Sequence, residues 1–156
     1  TGGAIPLAVT MASEPIYAAH LSTDRSRMFF HSSSYTANPI ACAAANANIA
    51  IWQQEPVNDR IATLAARQAS HLLRFQSHPQ VRNARQAGTI TAFDVGEADG
   101  YLSDLAPRML AMFRERGVLL RPLGNTVYVM PPYCIEADAL HRIYDTIEEV
   151  LEEIFE

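Results

Sequence analysis

Two places in this 156-residue chain gather side chains able to do chemistry. Ser32, Ser33 and Ser34, with Thr36, stand just ahead of Asn38-Pro39. That pair is a helix start signal, since asparagine caps free N–H groups and proline suits the first turn. Hydroxyls and backbone N–H groups at the positive end of a helix dipole can grip an anion, with phosphate the obvious tenant. A cap-and-loop role is the plainer reading of the same serines. Arg121 follows an apolar stretch and precedes Pro122-Leu123-Gly124. A guanidinium there could hold a carboxylate through two parallel hydrogen bonds, or pair with a structural acid. Tyr128 and Tyr133 bracket Pro131-Pro132 and read first as packing residues, second as walls of a substrate pocket.

Other chemistries lack their residues. All twelve basic residues are arginine, so no mechanism needing a lysine amine can be completed by these residues alone. The five histidines share no ligand spacing, and no metal is expected. His31 reads as a loop residue, and Gly2-Gly3 falls well short of a nucleotide-binding fingerprint. Cys42 and Cys134 sit in apolar company and are expected as buried free thiols in a reducing cytoplasm. The arginines are scattered rather than striped, which argues against a nucleic-acid footprint. Apolar residues make up 49% of the chain, enough for a core. No run approaches the ~20 apolar residues of a membrane helix. Residues 136–156 hold eight acids against one arginine, spaced as the solvated face of a helix.

Spacing then suggests the elements that position these groups. Residues 4–10 read as a buried strand, followed by a helix at 14–21 capped by Ser13, a loop at 25–27 and an extended piece at 28–31. The helix opened by Asn38 runs to about Trp52 on Ala41, Ala43, Ala44, Ala45, Ala47 and Ala50. A break near Glu55-Pro56 separates it from a helix over about 57–76 with Ile61, Leu64, Ala65 and Leu72 on one stripe. Beyond it the spacing predicts strands at 81–87 and 89–95, then a helix from Asp104 capped by Ser103 and stopped by Gly117. Strands at 118–121 and 126–130 are expected to form a hairpin about the turn at 122–125. The last helix carries Leu140, Ile143, Tyr144, Ile147, Val150, Leu151 and Ile154. Residues 80–156 thus read β-β-α-β-β-α, an antiparallel sheet with helices on one face. Thr1-Gly2-Gly3 running into an apolar segment suggests the inside of a domain, hence a fragment or processed product; a short domain with a trimmed leader is the alternative.

Three stretches carry a resemblance. Thr1-Gly2-Gly3 plus an apolar strand resembles the segment after the reactive lysine of class III, fold-type I pyridoxal-phosphate aminotransferases, where the pattern is Lys-x-apolar-Thr-Gly-Gly. His31 to Cys42, ending Asn38-Pro39-Ile40-Ala41-Cys42, is similar to that family's His-Gly-x-Thr-x-x-Gly-Asn-Pro-x-Ala-Cys stretch. Arg121-Pro122-Leu123-Gly124-Asn125-Thr126-Val127-Tyr128-Val129-Met130-Pro131-Pro132-Tyr133 is narrower. It resembles the signature of the branch that moves an amino group from S-adenosylmethionine to 8-amino-7-oxononanoate in biotin biosynthesis.

The resemblance implies an α/β fold class: the C-terminal part of a fold-type I transferase, with residues 1–52 the tail of the large cofactor domain and 57–156 the small α+β domain. It implies pyridoxal phosphate as cofactor, small-molecule substrates and a cytoplasmic homodimer with shared active sites, without nucleic acid or membrane. Ser34 matches a threonine that holds the cofactor phosphate across the dimer interface, and Ser33 matches its neighbour in that contact. Ser32 matches a glycine next to the substrate, Arg121 the arginine that takes the keto acid's carboxylate, and Tyr128 a tyrosine lining the substrate pocket. No catalytic residue is carried over, because the lysine would lie three residues before Thr1. Ala37 replaces a further glycine, which predicts negative φ there. Another class III ω-aminotransferase and a non-enzymatic α+β interaction module are the rival readings.

Overall fold

The computed structural model describes residues 1–31, 34–97 and 100–155. They form two compact units, Thr1–Glu55 and Pro56–Glu156.

The first unit contains α1 (Glu14–His20) and α2 (Pro39–Gln54), with a 3-10 turn at Arg25–Arg27 where a plain loop is expected. Residues 4–10 form no strand; they are irregular and largely exposed, because an apolar segment becomes a strand only beside a partner that takes its backbone hydrogen bonds. Ser13 precedes α1 without capping it through its side chain; the first turn is closed by its carbonyl instead, which accepts from Ile16 and Tyr17. At α2 the cap works as the sequence suggests: Asn38 Oδ1 accepts from the backbone N–H groups of Ile40 and Ala41 at 3.0 and 3.3 Å. Ala37 departs from expectation, with φ at +54°. The turn keeps its left-handed backbone although a Cβ is present, a strain of about 1–2 kcal/mol. Of α2's residues only Ala41 is buried.

The second unit is a three-stranded antiparallel sheet in the order β1-β2-β3 covered on one face by helices. Its elements are α3 (Val57–Gln76), β1 (Val81–Ala87), β2 (Ile90–Val95), α4 (Leu105–Glu115), β3 (Thr126–Val129) and α5 (Ala137–Phe155). The fourth strand expected at 118–121 does not form. Val118 donates its N–H to Phe113 O at 2.9 Å while Gly117, at φ +72°, donates to Arg114 O at 3.0 Å. This Schellman closure of α4 consumes the strand's first donor, and Pro122 has none to offer. The alternation of burial nevertheless persists, with Val118, Leu120 and Pro122 inward and Leu119 and Arg121 outward. Ser103 contributes to the start of α4, its hydroxyl accepting from Leu105 N–H at 3.3 Å.

Strand alternation puts Phe93, Val95, Val127 and Val129 on the covered face, against Leu72 and Phe75 of α3, Met109 and Phe113 of α4, and Leu140, Tyr144, Ile147, Val150 and Leu151 of α5. Each of these larger side chains is almost wholly removed from water. Burial of this kind contributes roughly 1.5–3 kcal/mol per large apolar side chain. A directed chain of hydrogen bonds crosses this core. Thr91 Oγ1 lies 2.6 Å from Tyr144 Oη, which donates to Gln68 Oε1, while Gln68 Nε2 donates to the carbonyls of Thr89 at 2.7 Å and Val129 at 3.3 Å. All three side chains are fully buried and satisfied, so the core tolerates them. Acidic residues of α5 that avoid its apolar stripe meet arginines: Arg74 pairs with Asp145 and Glu148, and Arg116 with Glu149 and Glu153.

Candidate functional site

Arg121 and Tyr128 are held by one turn. Leu123 and Thr126 exchange both backbone hydrogen bonds at 2.9 Å around Gly124-Asn125. Gly124 has φ +60° while Asn125 stays at negative φ, the pattern of a type II′ hairpin turn, which demands glycine at its first central position. Arg121 and Tyr128 each stand two residues outside the Leu123–Thr126 bridge, on the two arms of the turn, and no further ladder pair joins those arms. Both belong to the alternation that faces away from the core: Tyr128 is half-buried and Arg121 exposed. Arg121 therefore does not occupy the apolar strand end that its neighbours in sequence suggest. Among the described residues no ion pair engages its guanidinium, which leaves a planar, two-pronged donor available to a carboxylate.

The same outward sheet face holds a cluster that the sequence does not announce. Asp94 accepts from Thr126 Oγ1 at 2.8 Å, from both terminal nitrogens of Arg85 at 3.2 Å and from Asn83 Nδ2 at 2.9 Å. Burial pushes the Asp94 carboxyl up, but the hydrogen bonds from Asn83, Thr126 and Arg85 and the Arg85 charge outweigh it and hold it below the usual carboxylate range. Asn83 reaches Asp94 from a bulge between Arg82 and Arg85, where its own φ is +52°. The available signal was an Asn-Ala step interrupting the alternation of β1. Register places this cluster two pairs along from Tyr128, on the same face, since Tyr128 opposes Ala92 and Thr126 opposes Asp94.

In the first unit Ser34 and Thr36 are exposed and lead into α2. Ser32 and Ser33 lie outside the described residues. Because Asn38 already occupies two N–H groups of the first helical turn, an anion beside α2 would be gripped mainly by the hydroxyls. His31 is exposed and stacks on Phe29 at 5.8 Å. The serine segment belongs to one unit and the Arg121–Tyr128 turn to the other.

Burial corrects one further expectation. Cys42 is only partly buried and Cys134 is exposed, so neither is a core thiol; Cys134 follows the double proline on a surface loop instead. No group of three potential metal ligands comes together among the described residues. No described helix is long and apolar enough to cross a membrane. A cleft of about 620 Å³ opens in the second unit between α3 and the loop at 133–136, lined by Arg60, Thr63, Arg67, Tyr133 and Cys134 among others, but not by Arg121 or Tyr128.

Comparison with known proteins places these features in context. The family model described as aminotransferase class-III matches residues 1–151. The adenosylmethionine-8-amino-7-oxononanoate aminotransferase of Synechococcus elongatus is 40% identical over 99% of the chain, and that of Anoxybacillus flavithermus 32% identical over all of it. The chain spans 36% of the length of each of these relatives. Among solved structures, the enzyme of the same name from Methanocaldococcus jannaschii superimposes with a TM-score of 0.75 at 24% identity, covering 82% of this chain and 31% of that one. An ω-transaminase from Pseudomonas jessenii gives a TM-score of 0.66 at 24% identity over 74% of this chain and 27% of its own. At that identity the structural likeness speaks to the fold.

Proposed function

The chain belongs to the class-III aminotransferases, and from that premise we propose that it is the C-terminal part of a pyridoxal-phosphate enzyme of biotin biosynthesis. The enzyme moves an amino group from S-adenosylmethionine to 8-amino-7-oxononanoate, giving 7,8-diaminononanoate. The observation that carries this reading is the turn at 121–128. It carries an available guanidinium and a half-buried tyrosine two residues to either side of one bridge, inside the stretch whose resemblance separates this branch from other ω-aminotransferases.

Each residue has a task it can perform unaided. Arg121 binds and orients the keto acid by its carboxylate, and Tyr128 forms a wall beside it. Ser34, with Ser33 and Thr36, presents neutral hydroxyls to the cofactor's phosphate, a donor set that suits an anion without neutralising it. Ser32 takes the place of a glycine that the family has next to the substrate. When bound, pyridoxal phosphate supplies the electron sink that amino-group transfer requires. The amine that bonds the cofactor comes from a lysine outside these 156 residues, which contain none. Residues 1–52 are the tail of the cofactor domain and 57–156 the small domain. Two copies share each active site, Ser34 serving the partner's cofactor, in the cytoplasm.

Steady-state kinetics of the full-length, cofactor-loaded enzyme test the assignment. Arg121→Ala should raise KM for 8-amino-7-oxononanoate by about two orders of magnitude, as for loss of a charge-assisted pair, and KM for S-adenosylmethionine far less. Equal effects on both substrates would remove the clamp. Turnover with ornithine or 4-aminobutyrate, and none with S-adenosylmethionine, would transfer the chain to the ω-aminotransferase branch.

A further inference from the structure

The turn that carries Arg121 is tied to the sheet by a side chain not yet given a role. The β2–β3 register pairs Asp94 with Thr126, so the next pair outward is Val95 with Asn125. A regular antiparallel pair at that position would exchange two backbone hydrogen bonds. One is present: Val95 N–H donates to Asn125 O at 2.8 Å. The second would need the backbone N–H of Asn125, which lies inside the type II′ turn and cannot reach. The Asn125 side chain takes its place, Nδ2 donating to Val95 O at 3.4 Å. Asn125 is 7% exposed and Val95 fully buried, so without that amide the Val95 carbonyl would face the protein interior with one partner fewer. Asparagine suits this position because its amide is a neutral donor, and its short stem matches the missing backbone group in reach.

We infer that Asn125 is a positioning residue for the Arg121 carboxylate clamp, its amide completing the last pair of the β2–β3 ladder so that the turn fixes where the Arg121 arm leaves the sheet. This rests on the reading of Arg121 given above. Apart from the burial of Leu120 and Pro122, the backbone between Arg121 and β3 has little other restraint from hydrogen bonds. Beyond Leu123–Thr126 the hairpin opens without further ladder pairs, and Pro122 has no N–H to donate. Aim therefore depends on how firmly the turn itself is fixed, and Asn125 fixes it from within.

The experiment is a double-mutant cycle in the full-length, cofactor-loaded enzyme, read as KM for 8-amino-7-oxononanoate and for S-adenosylmethionine. Asn125→Ala is expected to raise the keto-acid KM about tenfold with the donor KM within about twofold, since only the clamp is misaligned. In the Arg121→Ala background the same substitution should add nothing, because a residue acting through Arg121 has no one left to act through. Asn125→Asp, similar in shape but unable to donate when ionised, should resemble Asn125→Ala at neutral pH and recover toward the parent KM at pH values that protonate the new carboxyl. A keto-acid KM that Asn125→Ala leaves unchanged while Arg121→Ala raises it would overturn the inference and spare the clamp. Unchanged KM in Arg121→Ala itself would remove the clamp and the inference together. Equal losses from Asn125→Ala in both backgrounds would reduce Asn125 to general stability and overturn the positioning role.

Discussion

Replacing Tyr144 by phenylalanine removes one oxygen from the middle of the buried hydrogen-bond chain and leaves the ring's packing in place. The loss is concentrated because the chain is directional. Tyr144 Oη donates to Gln68 Oε1, so the hydroxyl 2.6 Å away on Thr91 must donate to Tyr144. Tyr144→Phe therefore strands an acceptor on Gln68 and a donor on Thr91, both fully buried and out of reach of water. At about 1–3 kcal/mol for each of the two stranded groups, the expected loss is roughly 2–6 kcal/mol. For a unit of about a hundred residues that lowers the unfolding midpoint by about 10–30 °C. Near-ultraviolet circular dichroism reports this unit through the aromatic rings that remain in the variant, Phe75 stacking on Phe93 at 5.1 Å beside position 144. Thr91→Val in the Tyr144→Phe background removes one stranded group and should restore about 1 kcal/mol. A second readout comes from alkaline titration, since burial pushes the Tyr144 phenol up to about 12. The raised value means that Tyr144 supports the fold fully below pH 10 and loses that support as pH rises from 10 toward 12. A Tyr144→Phe protein within about 0.5 kcal/mol of the parent would refute the network's energetic importance, as would strictly additive losses in the double variant.

Three other outcomes follow from single contacts. His71 stacks on Tyr144 at 4.5 Å, and its pKa is lowered by burial and by the neighbouring charges of His141 and Arg74, against the opposing pull of Asp145. Its contribution is present above the unfolded histidine value and lost as pH falls through the lowered native one, so acid unfolding of the parent should begin earlier than that of His71→Phe. Gly117→Ala places a Cβ at φ +72° and 3.3 Å from an Arg142 nitrogen; it should destabilise the second unit by about 1–2 kcal/mol in urea unfolding. Ala37→Gly relieves the left-handed strain at φ +54° and should stabilise the α2 start by about 0.5–1 kcal/mol, offset in part by the greater freedom of the unfolded glycine.

What the sequence made legible was whatever its local spacing determines. The helix at 57–76 and the apolar stripe of the last helix match α3 and α5, because 3- and 4-residue spacing needs no knowledge of partners. The two misplaced strands fail for opposite reasons. Residues 4–10 have the composition of a strand but no ladder among the described residues, whereas 118–121 keep strand-like burial while their donors are spent on the α4 cap. The buried network escaped notice although a signal was present. Gln68 stands four residues from both Leu64 and Leu72 on the very stripe used to identify α3, and a polar residue in such a place calls for a partner. The Arg121 and Tyr128 roles came from resemblance; that the two residues flank a single type II′ turn required the structure.

Gln68 also constrains which structures the chain rejects. Its amide reads carbonyls at two chosen points, Thr89 at the β1–β2 turn and Val129 at the end of β3. Sliding β3 by one residue would swing Thr126 and Tyr128 inward, eject Val127 and Val129, and move the second carbonyl off its reader. A single helical side chain thus acts as a checksum on strand alignment, penalising misthreaded pairings more heavily than it rewards the correct one.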